Sequence, residues 1–377
     1  MTEDGPARAD ADRRFMAEAL AVAAEGAGRT SPNPAVGAVV VNDDHVVGRG
    51  FHTWAGVKHA EIIALEQAGG RAQGATLYVT LEPCSHYGRT GPCANAVAEA
   101  GVRRVVVAME DPNALVRGDG LRRLRDAGIE VEISTEHTHE AEKLNEAFVH
   151  YMRTGRPLVT LKAAVTLDGK IAAPEDNRGW ITSETARAHV QTLRHNSDAI
   201  LTGIGTVLGD DCLLTDRSGL ERSRPLLRIV LDSQLRLPLA SKMVQSFRDD
   251  LLVVTTSAGS KSRRAALAEL GVNVITADGQ GGRTDLRQVV DYLAREKYLS
   301  LMIEAGSRVN WAALESGIVD KVFFYYAPKI LGGLQSLPVV GGAGRKRRKD
   351  AIRFRDVRLH SIALDEFAVE AYMVKEL

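Results

Sequence analysis

The chain has 377 residues, a length that favours two domains of ordinary size. Lysine plus arginine and aspartate plus glutamate both total 48, so the net charge gives no sign of a nucleic-acid-binding surface. Residues 1–12 lack the apolar core of a signal peptide, and no uninterrupted apolar run is long enough to span a bilayer. We therefore expect a soluble, cytoplasmic protein that binds neither nucleic acid nor membrane.

In the first half of the chain, patterns typical of strands and helices alternate. Residues 1–11 are expected to form a polar tail, and Asp12 to cap a helix that ends near residues 26–28. The elements expected after it are strands over 36–41 and 45–50 that form a hairpin, a helix over 59–69, a strand over 76–80, a helix over 93–98, a strand over 103–108, a helix over 121–127, a strand over 129–133 and a helix over 140–152. This alternation predicts a mostly parallel sheet covered on both faces, with a site beyond the carboxyl ends of its strands, where Cys84 and Asp111 fall.

Four side chains of this half have the chemistry of a hydrolytic zinc site. His59, Cys84 and Cys93 can supply three ligands, which leaves the fourth position of a catalytic zinc for water. Glu61 lies two residues after His59, and on a regular helix residues that close do not share a face. We therefore assign Glu61 to moving protons between water and substrate, and not to the metal. The pattern H-x-E followed by P-C is typical of the zinc nucleobase deaminases.

The same residues allow two simpler interpretations. A structural zinc normally has four protein ligands, and His86 could be the fourth. The two cysteines could also be ordinary buried thiols. Both interpretations leave Glu61 and the Pro-Cys pairs at 83–84 and 92–93 unexplained, so a catalytic zinc is preferred. If two cysteines bind metal, Cys212 has no partner, which excludes a disulfide framework and fits a reducing compartment.

The second half is expected to begin near residue 153, which gives domains over 1–153 and 154–377. Apolar strand patterns occupy residues 158–165, 198–202, 226–232, 251–255, 272–276, 299–303, 322–327 and 368–374. Helices are expected from Thr182 or Ser183 to Arg194, over 263–270, and after Ser307.

Two glycine-containing stretches of this half could bind phosphate. Gly203-x-Gly205 is only a fragment of a dinucleotide fingerprint, because the third glycine and a well-placed acidic residue are missing. Ala305-Gly306-Ser307 ends a strand and leads into a helix, where exposed backbone amides attract anions. The second stretch is therefore the better candidate for a phosphate cradle.

Several motifs of the chain resemble one known family. They are Asn33-Pro34-x-Val36-Gly37, Gly50-x-His52, His59-Ala60-Glu61, the run from Glu82-Pro83-Cys84 to Pro92-Cys93, and Asp111-Pro112-Asn113. Together they resemble the bifunctional riboflavin-biosynthesis deaminase/reductases. The gap of eight residues between the two cysteines resembles that of this family, whereas cytidine and tRNA-adenosine deaminases have a shorter gap. The resemblance extends over essentially the whole chain.

The resemblance implies an α/β protein with an N-terminal, three-layer cytidine-deaminase-like domain and a C-terminal dihydrofolate-reductase-like domain. It also implies one zinc ion per chain in the first domain and NADPH in the second. The first domain would hydrolyse the 2-amino group of a diaminopyrimidinone ribosylamine phosphate, which is a small phosphorylated pyrimidine. The second would open the ribosyl ring and reduce the sugar to ribityl.

The resemblance also assigns site residues. Those expected to bind the deaminase substrate are Asn33, His52, His86, Arg89, Asp111 and Asn113. Those expected to bind the NADPH cofactor are Ala164, Trp180, Thr206, Asp210, Ser233, Gly306 and Ser307. Those expected to bind the reductase substrate are Arg194, Leu214, Arg217 and Glu304. Lys162 and Glu304 are expected to orient or protonate the reacting sugar, and Arg89 offers a planar fork for phosphate.

Four residues depart from the family pattern: Ala114, Arg178, Ala305 and Cys212. The last three are expected to affect cofactor affinity without changing the reaction. Two rival functions stay open at this stage. A nucleic-acid deaminase would need a basic face and a shorter cysteine gap, and both are absent from the sequence. The C-terminal half could alternatively be only a scaffold or an oligomerisation module, and a homo-oligomer is compatible with the sequence.

Overall fold

The structure is a computed structural model that describes residues 4–87, 91–114, 116–175 and 179–375. Two compact units divide the chain: Met1–Gly155 with Glu221–Arg224, and Arg156–Leu220 with Pro225–Leu377. Within the described ranges, no helix combines the length and the apolar character that crossing a membrane requires.

The first unit is built on a five-stranded sheet. Its elements are α1 (Asp4–Ala24), β1 (Gly37–Asn42), β2 (His45–Phe51), α2 (Ala60–Ala68), β3 (Thr76–Val79), α3 (Cys93–Glu99), β4 (Arg104–Val107), α4 (Asp119–Asp126), β5 (Glu130–Ile133), α5 (Thr138–Leu144) and α6 (Glu146–Thr154). The strand order is β2-β1-β3-β4-β5, and β3, β4 and β5 are parallel. β1 is antiparallel to both of its neighbours, so the sheet is mixed and the prediction of a mostly parallel sheet is wrong for this edge.

The β1–β2 hairpin explains the mixed sheet. Asp43 and Asp44 both have positive φ, which is the backbone of a type I′ turn and reverses the chain after two residues. Apolar residues alternate along the strands and pack on both faces of the sheet. Val40 and Leu77 belong to a core with α2, α3 and α4, while Val39 and Tyr78 belong to a core with α1. The unit therefore has three layers, as expected.

Helix α1 begins at Asp4, so the predicted polar tail and the predicted cap at Asp12 are both wrong. Asp12 lies within the helix and points to the sheet, where Tyr78 and Arg104 donate hydrogen bonds to its carboxylate. A short polar residue in front of an apolar repeat resembles a cap in the sequence. Its pairing with Arg104, 92 residues away, depends on the fold.

A single helix predicted over 140–152 is in fact two helices, because α5 ends and α6 begins at Asn145. The buried Asn145 side chain donates to the carbonyl of Ala35 and accepts from its N–H. These two bonds satisfy the backbone just before β1, which explains the polar side chain within the apolar repeat.

The second unit contains a nine-stranded sheet. Its elements are β6 (Leu158–Thr166), β7 (Lys170–Ala172), α7 (Glu184–His195), β8 (Ala199–Gly203), α8 (Ile204–Asp210), β9 (Leu227–Leu231), α9 (Lys242–Phe247), β10 (Leu251–Thr255), α10 (Lys261–Glu269), β11 (Asn273–Thr276), α11 (Leu286–Arg295), β12 (Ser300–Ile303), α12 (Ser307–Glu315), β13 (Lys321–Ala327), β14 (Leu337–Pro338), β15 (Phe354–Ala363) and β16 (Glu366–Met373). In the nine-stranded sheet the strand order is β11-β10-β9-β8-β12-β6-β13-β16-β15, whereas β7 and β14 pair in a separate two-stranded sheet. Strands from β11 to β13 in this order are parallel, and β16 and β15 are antiparallel additions.

Most of the longer strands of this unit agree with the prediction within one or two residues, but α8, α9, α11, β7, β14 and β15 were not predicted. Helix α11 has buried residues at Leu286, Val289, Val290 and Leu293, a helical spacing that the sequence does carry. Strand β15 lies at the sheet edge and is mostly exposed, so its sequence lacks the alternation of a half-buried strand. Of the two candidate caps of α7, Ser183 is the cap, because its side chain accepts from the N–H of Ala186.

Candidate active sites

Three elements of the first unit bring His59, Cys84 and Cys93 together. His59 is the residue that caps α2, Cys84 follows β3, and Cys93 is the first residue of α3. Their ligand atoms lie within 4.8 Å of one another. His59 Nδ1 is 3.2 Å from Cys93 Sγ and 3.6 Å from Cys84 Sγ, and the N–H of Cys93 points at Cys84 Sγ at 3.3 Å.

These distances fit a tetrahedral zinc ion. With Zn–N near 2.0 Å and Zn–S near 2.3 Å, a tetrahedron separates nitrogen and sulfur ligands by about 3.5 Å. The measured separations of 3.2 and 3.6 Å bracket that value. The donor set of one imidazole and two thiols is also one that zinc prefers. The residues present therefore fit the metal.

Glu61 lies in the first turn of α2, beside this cluster. Its side chain is almost completely buried and hydrogen-bonds with the side chain of Cys93. Burial raises the pKa of Glu61 to about 7, and the nearby charge of Cys84 adds to the shift. Glu61 thus lies beside the cluster of His59, Cys84 and Cys93 but is not one of its three donors.

A cavity of about 440 Å³ opens onto this cluster. Its lining includes five of the six residues predicted to bind the deaminase substrate, namely Asn33, His52, His86, Asp111 and Asn113. Arg89, the sixth, lies outside the described residues. The apolar walls, which sequence reasoning missed, come from Trp54, Leu81, Val116, Phe148 and Met152. Phe148 belonged to the apolar side of the predicted helix, so the available signal suggested only a core residue.

Hydrogen bonds fix the orientation of two polar side chains in the cavity. His52 Nδ1 lies 3.0 Å from the carbonyl of Lys58, so this nitrogen carries the proton and donates. Nε2 then accepts from the side-chain amide of Asn33 at 3.0 Å. Burial raises the pKa of Asp111, although the N–H of Asn113 donates to its carboxylate. The cavity therefore presents oriented donors and acceptors beside the cluster.

In the second unit, Glu304 lies between two cations. It follows β12, and its carboxylate accepts from Lys162 Nζ at 3.2 Å and from Arg194 Nη2 at 2.9 and 3.0 Å. Burial opposes its ionisation, but the charges of Lys162 and Arg194 outweigh burial and lower the pKa of Glu304 to about 2. Arg194 also donates to the carbonyl of Thr215. The structure thus brings three of the predicted reductase residues together.

Tyr325 was missed by sequence reasoning, although it lies next to this cluster. The ammonium of Lys162 is 5.8 Å from the centre of its ring, and its hydroxyl is 2.6 Å from His189 Nδ1. Burial raises the pKa of Tyr325, so the hydroxyl stays protonated and donates to His189. In the sequence, Tyr325 looks like one more apolar residue of a buried strand.

Four of the residues predicted to bind the cofactor follow the carboxyl ends of strands in the sheet. Ser233 follows β9, Thr206 lies in α8 just after β8, and Gly306 precedes α12, whose first residue is Ser307. A side chain added at Gly306 would meet open space, and the buried Ser307 Oγ lacks a hydrogen-bond partner among the described residues. A phosphate of a dinucleotide fits such a helix start.

The remaining predicted residues are less clustered. Ala164 lies in β6 and Asp210 ends α8. Trp180 is 68% exposed and stacks against Arg187, so its ring is available at the surface and does not lie in the core. Leu214 is buried in the hydrophobic core beside β9, and the N–H of Arg217 donates to Gln191. Arg178 lies outside the described residues.

The first unit has the donor set and the buried carboxylate of a zinc deaminase, and family models match both halves of the chain. The model of the cytidine and deoxycytidylate deaminase zinc-binding region matches residues 9–109, and that of the RibD C-terminal domain matches residues 157–365. The riboflavin biosynthesis protein RibD of Escherichia coli is 41% identical over 369 residues, which cover 94% of this chain and 97% of that protein. The corresponding protein of Aquifex aeolicus is 40% identical, with 94% and 96% covered.

Solved structures give the same result. RibD of Acinetobacter baumannii is 38% identical with a TM-score of 0.86, and 97% of this chain and 99% of that chain are covered. The deaminase/reductase of Thermotoga maritima is 33% identical with a TM-score of 0.80, and the same shares are covered. The chain belongs to the RibD family of riboflavin biosynthesis proteins. It is a bifunctional enzyme with a zinc-dependent deaminase domain and an NADPH-dependent reductase domain, which confirms the predicted fold, enzyme class and cofactors.

Proposed function

We propose that residues 1–153 deaminate 2,5-diamino-6-(5-phosphoribosylamino)pyrimidin-4(3H)-one and that residues 154–377 reduce the ribosyl group of the product to ribityl. The Thermotoga maritima relative is described as a diaminohydroxyphosphoribosylaminopyrimidine deaminase and 5-amino-6-(5-phosphoribosylamino)uracil reductase. The observation that carries the proposal is the convergence of His59, Cys84 and Cys93 beside the buried Glu61 in a cavity of about 440 Å³.

His59, Cys84 and Cys93 would hold the zinc. Zinc bound by three protein ligands lowers the pKa of a water molecule to about 7 and supplies a hydroxide nucleophile at neutral pH. Glu61 takes up a proton as the new C–O bond forms, and delivers one to the amino group as the C–N bond breaks and ammonia leaves. Its position beside Cys93 in the lining of the cavity supports this role.

The polar lining of the cavity selects the substrate. Asn33, held by its hydrogen bond to His52, presents its amide oxygen and second N–H to the edge of the pyrimidine, and His86, Asp111 and Asn113 line the same cavity. Arg89 binds the phosphate in this proposal, by virtue of its sequence position between the two cysteines.

In the reductase, the chemistry that bound NADPH would supply is a hydride for the sugar carbon whose bond to the ring oxygen breaks. That oxygen then needs a proton. Glu304 is held ionised between two cations, so it orients the sugar hydroxyls, while the ammonium of Lys162 is the group that can release a proton. Arg194, Leu214 and Arg217 bind this substrate. Ala164, Trp180, Thr206, Asp210, Ser233, Gly306 and Ser307 would hold the cofactor.

The test is an assay of the purified chain on the diaminopyrimidinone phosphate, with and without NADPH. We expect ammonia release in both cases and NADPH oxidation only after deamination has begun. Deamination of a polynucleotide in preference to this substrate would contradict the proposal.

We also propose that the enzyme is cytoplasmic. Its three cysteines are free thiols, and two of them must stay reduced to bind the metal.

A further inference from the structure

The side chain of Glu82 accepts hydrogen bonds from four backbone amides at and before the start of α4. Glu82 follows β3 and is only 5% exposed. Its Oε2 accepts from the N–H groups of Asp111 and Gly118, each at 3.0 Å, and its Oε1 accepts from those of Gly120 and Leu121 at 2.9 and 3.4 Å. One carboxylate thus satisfies four buried or half-buried donors that are 29 to 39 residues away in the sequence.

Four amides need the acceptor capacity of a carboxylate, and two glycines allow the backbone to approach it. An ionised carboxylate offers about four lone-pair sites on two oxygens, whereas a glutamine amide offers only one oxygen. Gly118 has a φ of 81°, a conformation that favours glycine, and it turns its N–H toward Glu82. A side chain at Gly120 would lie 2.0 Å from the carbonyl oxygen of Pro83, so glycine permits the close approach.

Both ends of this contact belong to the deaminase cavity. Glu82 precedes Cys84 by two residues, and the loop that it holds supplies Asp111, Asn113 and Val116 to the lining. We propose that Glu82 is a positioning residue that holds Asp111, Gly118 and the first turn of α4 against the strand end carrying Cys84, and so determines substrate affinity. This inference rests on the deaminase function proposed above. The competing view is that Glu82 only stabilises the position of Cys84.

The main test is Glu82→Gln in the full chain, which keeps the size of the side chain and removes one acceptor oxygen and the charge. We expect the deaminase KM to rise about ten- to a hundredfold, because small displacements of binding groups have effects of that size. Zinc should stay near one per chain, kcat should change less than KM, and the amides of residues 111–121 should exchange faster with deuterium.

Glu110→Gln is the matched control. It removes the same charge from the residue just before Asp111, but the Glu110 carboxylate pairs with the exposed side chain of Arg117. We expect wild-type KM, zinc content and amide exchange. Wild-type KM and exchange in Glu82→Gln would overturn the proposal. Loss of zinc with unchanged exchange over 111–121 would also overturn it, because Glu82 would then serve Cys84 alone.

Gly118→Ala provides a second variant in case Glu82→Gln does not fold. The added methyl group meets open space, so its cost is confined to the backbone conformation that directs the N–H to Glu82. We expect a smaller rise of KM in the same direction, with zinc retained; an unchanged KM and unchanged exchange would count against the inference. Amide exchange needs no substrate. It therefore still decides the role of Glu82 if the wild type fails to deaminate the proposed pyrimidine.

Discussion

Two carboxylates, the buried Glu61 of the first unit and the half-buried Glu304 of the second, differ in their neighbours. Glu61 has two thiols and an imidazole around it, and burial raises its pKa to about 7. Glu304 has the charges of Lys162 and Arg194, which overcome burial and lower its pKa to about 2. The first side chain can exchange a proton near neutral pH, and the second stays an acceptor. Environments that separate pKa values in this way typically separate catalytic roles.

The role proposed for Glu61 predicts that metal binding and deamination can be separated. Glu61→Gln should keep about one zinc per chain and lower the deaminase kcat by roughly 10²–10⁴-fold, the usual contribution of a general acid–base group. Cys84→Ser and Cys93→Ser should instead lose the zinc, which elemental analysis measures. A Glu61→Gln enzyme with near-normal deamination would refute the assignment.

The role proposed for Lys162 predicts a loss confined to the reductase. Lys162→Met keeps the length of the side chain but removes the proton donor, so we expect the reductase kcat to fall by roughly 10²–10⁴-fold. The pKa of Glu304 should rise, because one of its two cations is gone. Lys261→Met, on the exposed start of α10, is the control and should leave the rate unchanged. Equal rates in both variants would exclude Lys162 as the donor.

At the scale of elements, α1 is tied to the sheet by an ion pair that the sequence did not reveal. Arg104 is 6% exposed and donates two hydrogen bonds of 2.7 Å to Asp12, whose side chain is 14% exposed. Burial opposes ionisation of Asp12, but the hydrogen bonds from Arg104 and Tyr78 prevail and lower its pKa. Helix α1 therefore depends on this pair as well as on its apolar face.

Asp12→Asn should lower the free energy of unfolding of the first unit by about 2 kcal/mol, because it weakens the hydrogen bonds from the buried Arg104, which keeps its pairing with the exposed Glu132. The pair's contribution should be complete above the ordinary pKa of Asp12 and should disappear as the pH falls through its lowered value. Near neutral pH, denaturant titrations with deaminase activity as the signal measure the free energy of unfolding of the variant and the wild type. At acid pH, circular dichroism is the signal for the same comparison.

Asp10→Asn is the control for this prediction. Asp10 pairs with Arg13 on the exposed side of the same helix, so its loss should change the free energy of unfolding by less than about 0.5 kcal/mol. Equal effects of Asp10→Asn and Asp12→Asn would show that helix charge, and not the contact with Arg104, is responsible.

At the scale of the whole molecule, the two activities should be separable, because no residue of the reductase cluster belongs to the metal cluster. Zinc chelation or Glu61→Gln should stop deamination but leave NADPH-dependent reduction of the already deaminated intermediate at the wild-type rate. Lys162→Met should do the reverse and let the deaminated intermediate accumulate. Chromatography of the reaction products checks both results. Loss of both activities on chelation in a still-folded chain would contradict this division.

The sequence alone determined the chemistry of the first site. Residue type and local spacing are enough to propose His59, Cys84 and Cys93 as ligands, since zinc prefers these donors and the Pro-Cys pairs are recognisable. Glu61 follows from its spacing to His59. The alternation of strands and helices was also sufficient for the α/β class. The boundary near residue 153 and the phosphate-binding role of Arg89 stay predictions.

Only the tertiary structure decided which distant residues meet. Asp12 accepts hydrogen bonds from Arg104, and Asn145 bonds to the backbone of Ala35. Glu82 accepts from backbone amides between residues 111 and 121. These contacts join residues that are 29 to 110 positions apart. Lys162 and Glu304 meet because β6 and β12 are neighbours in the sheet, although 142 residues separate them. A sequence pattern carries the preferences of nearby residues. The partner of a buried polar group depends instead on strand order and on which backbone groups remain to be satisfied.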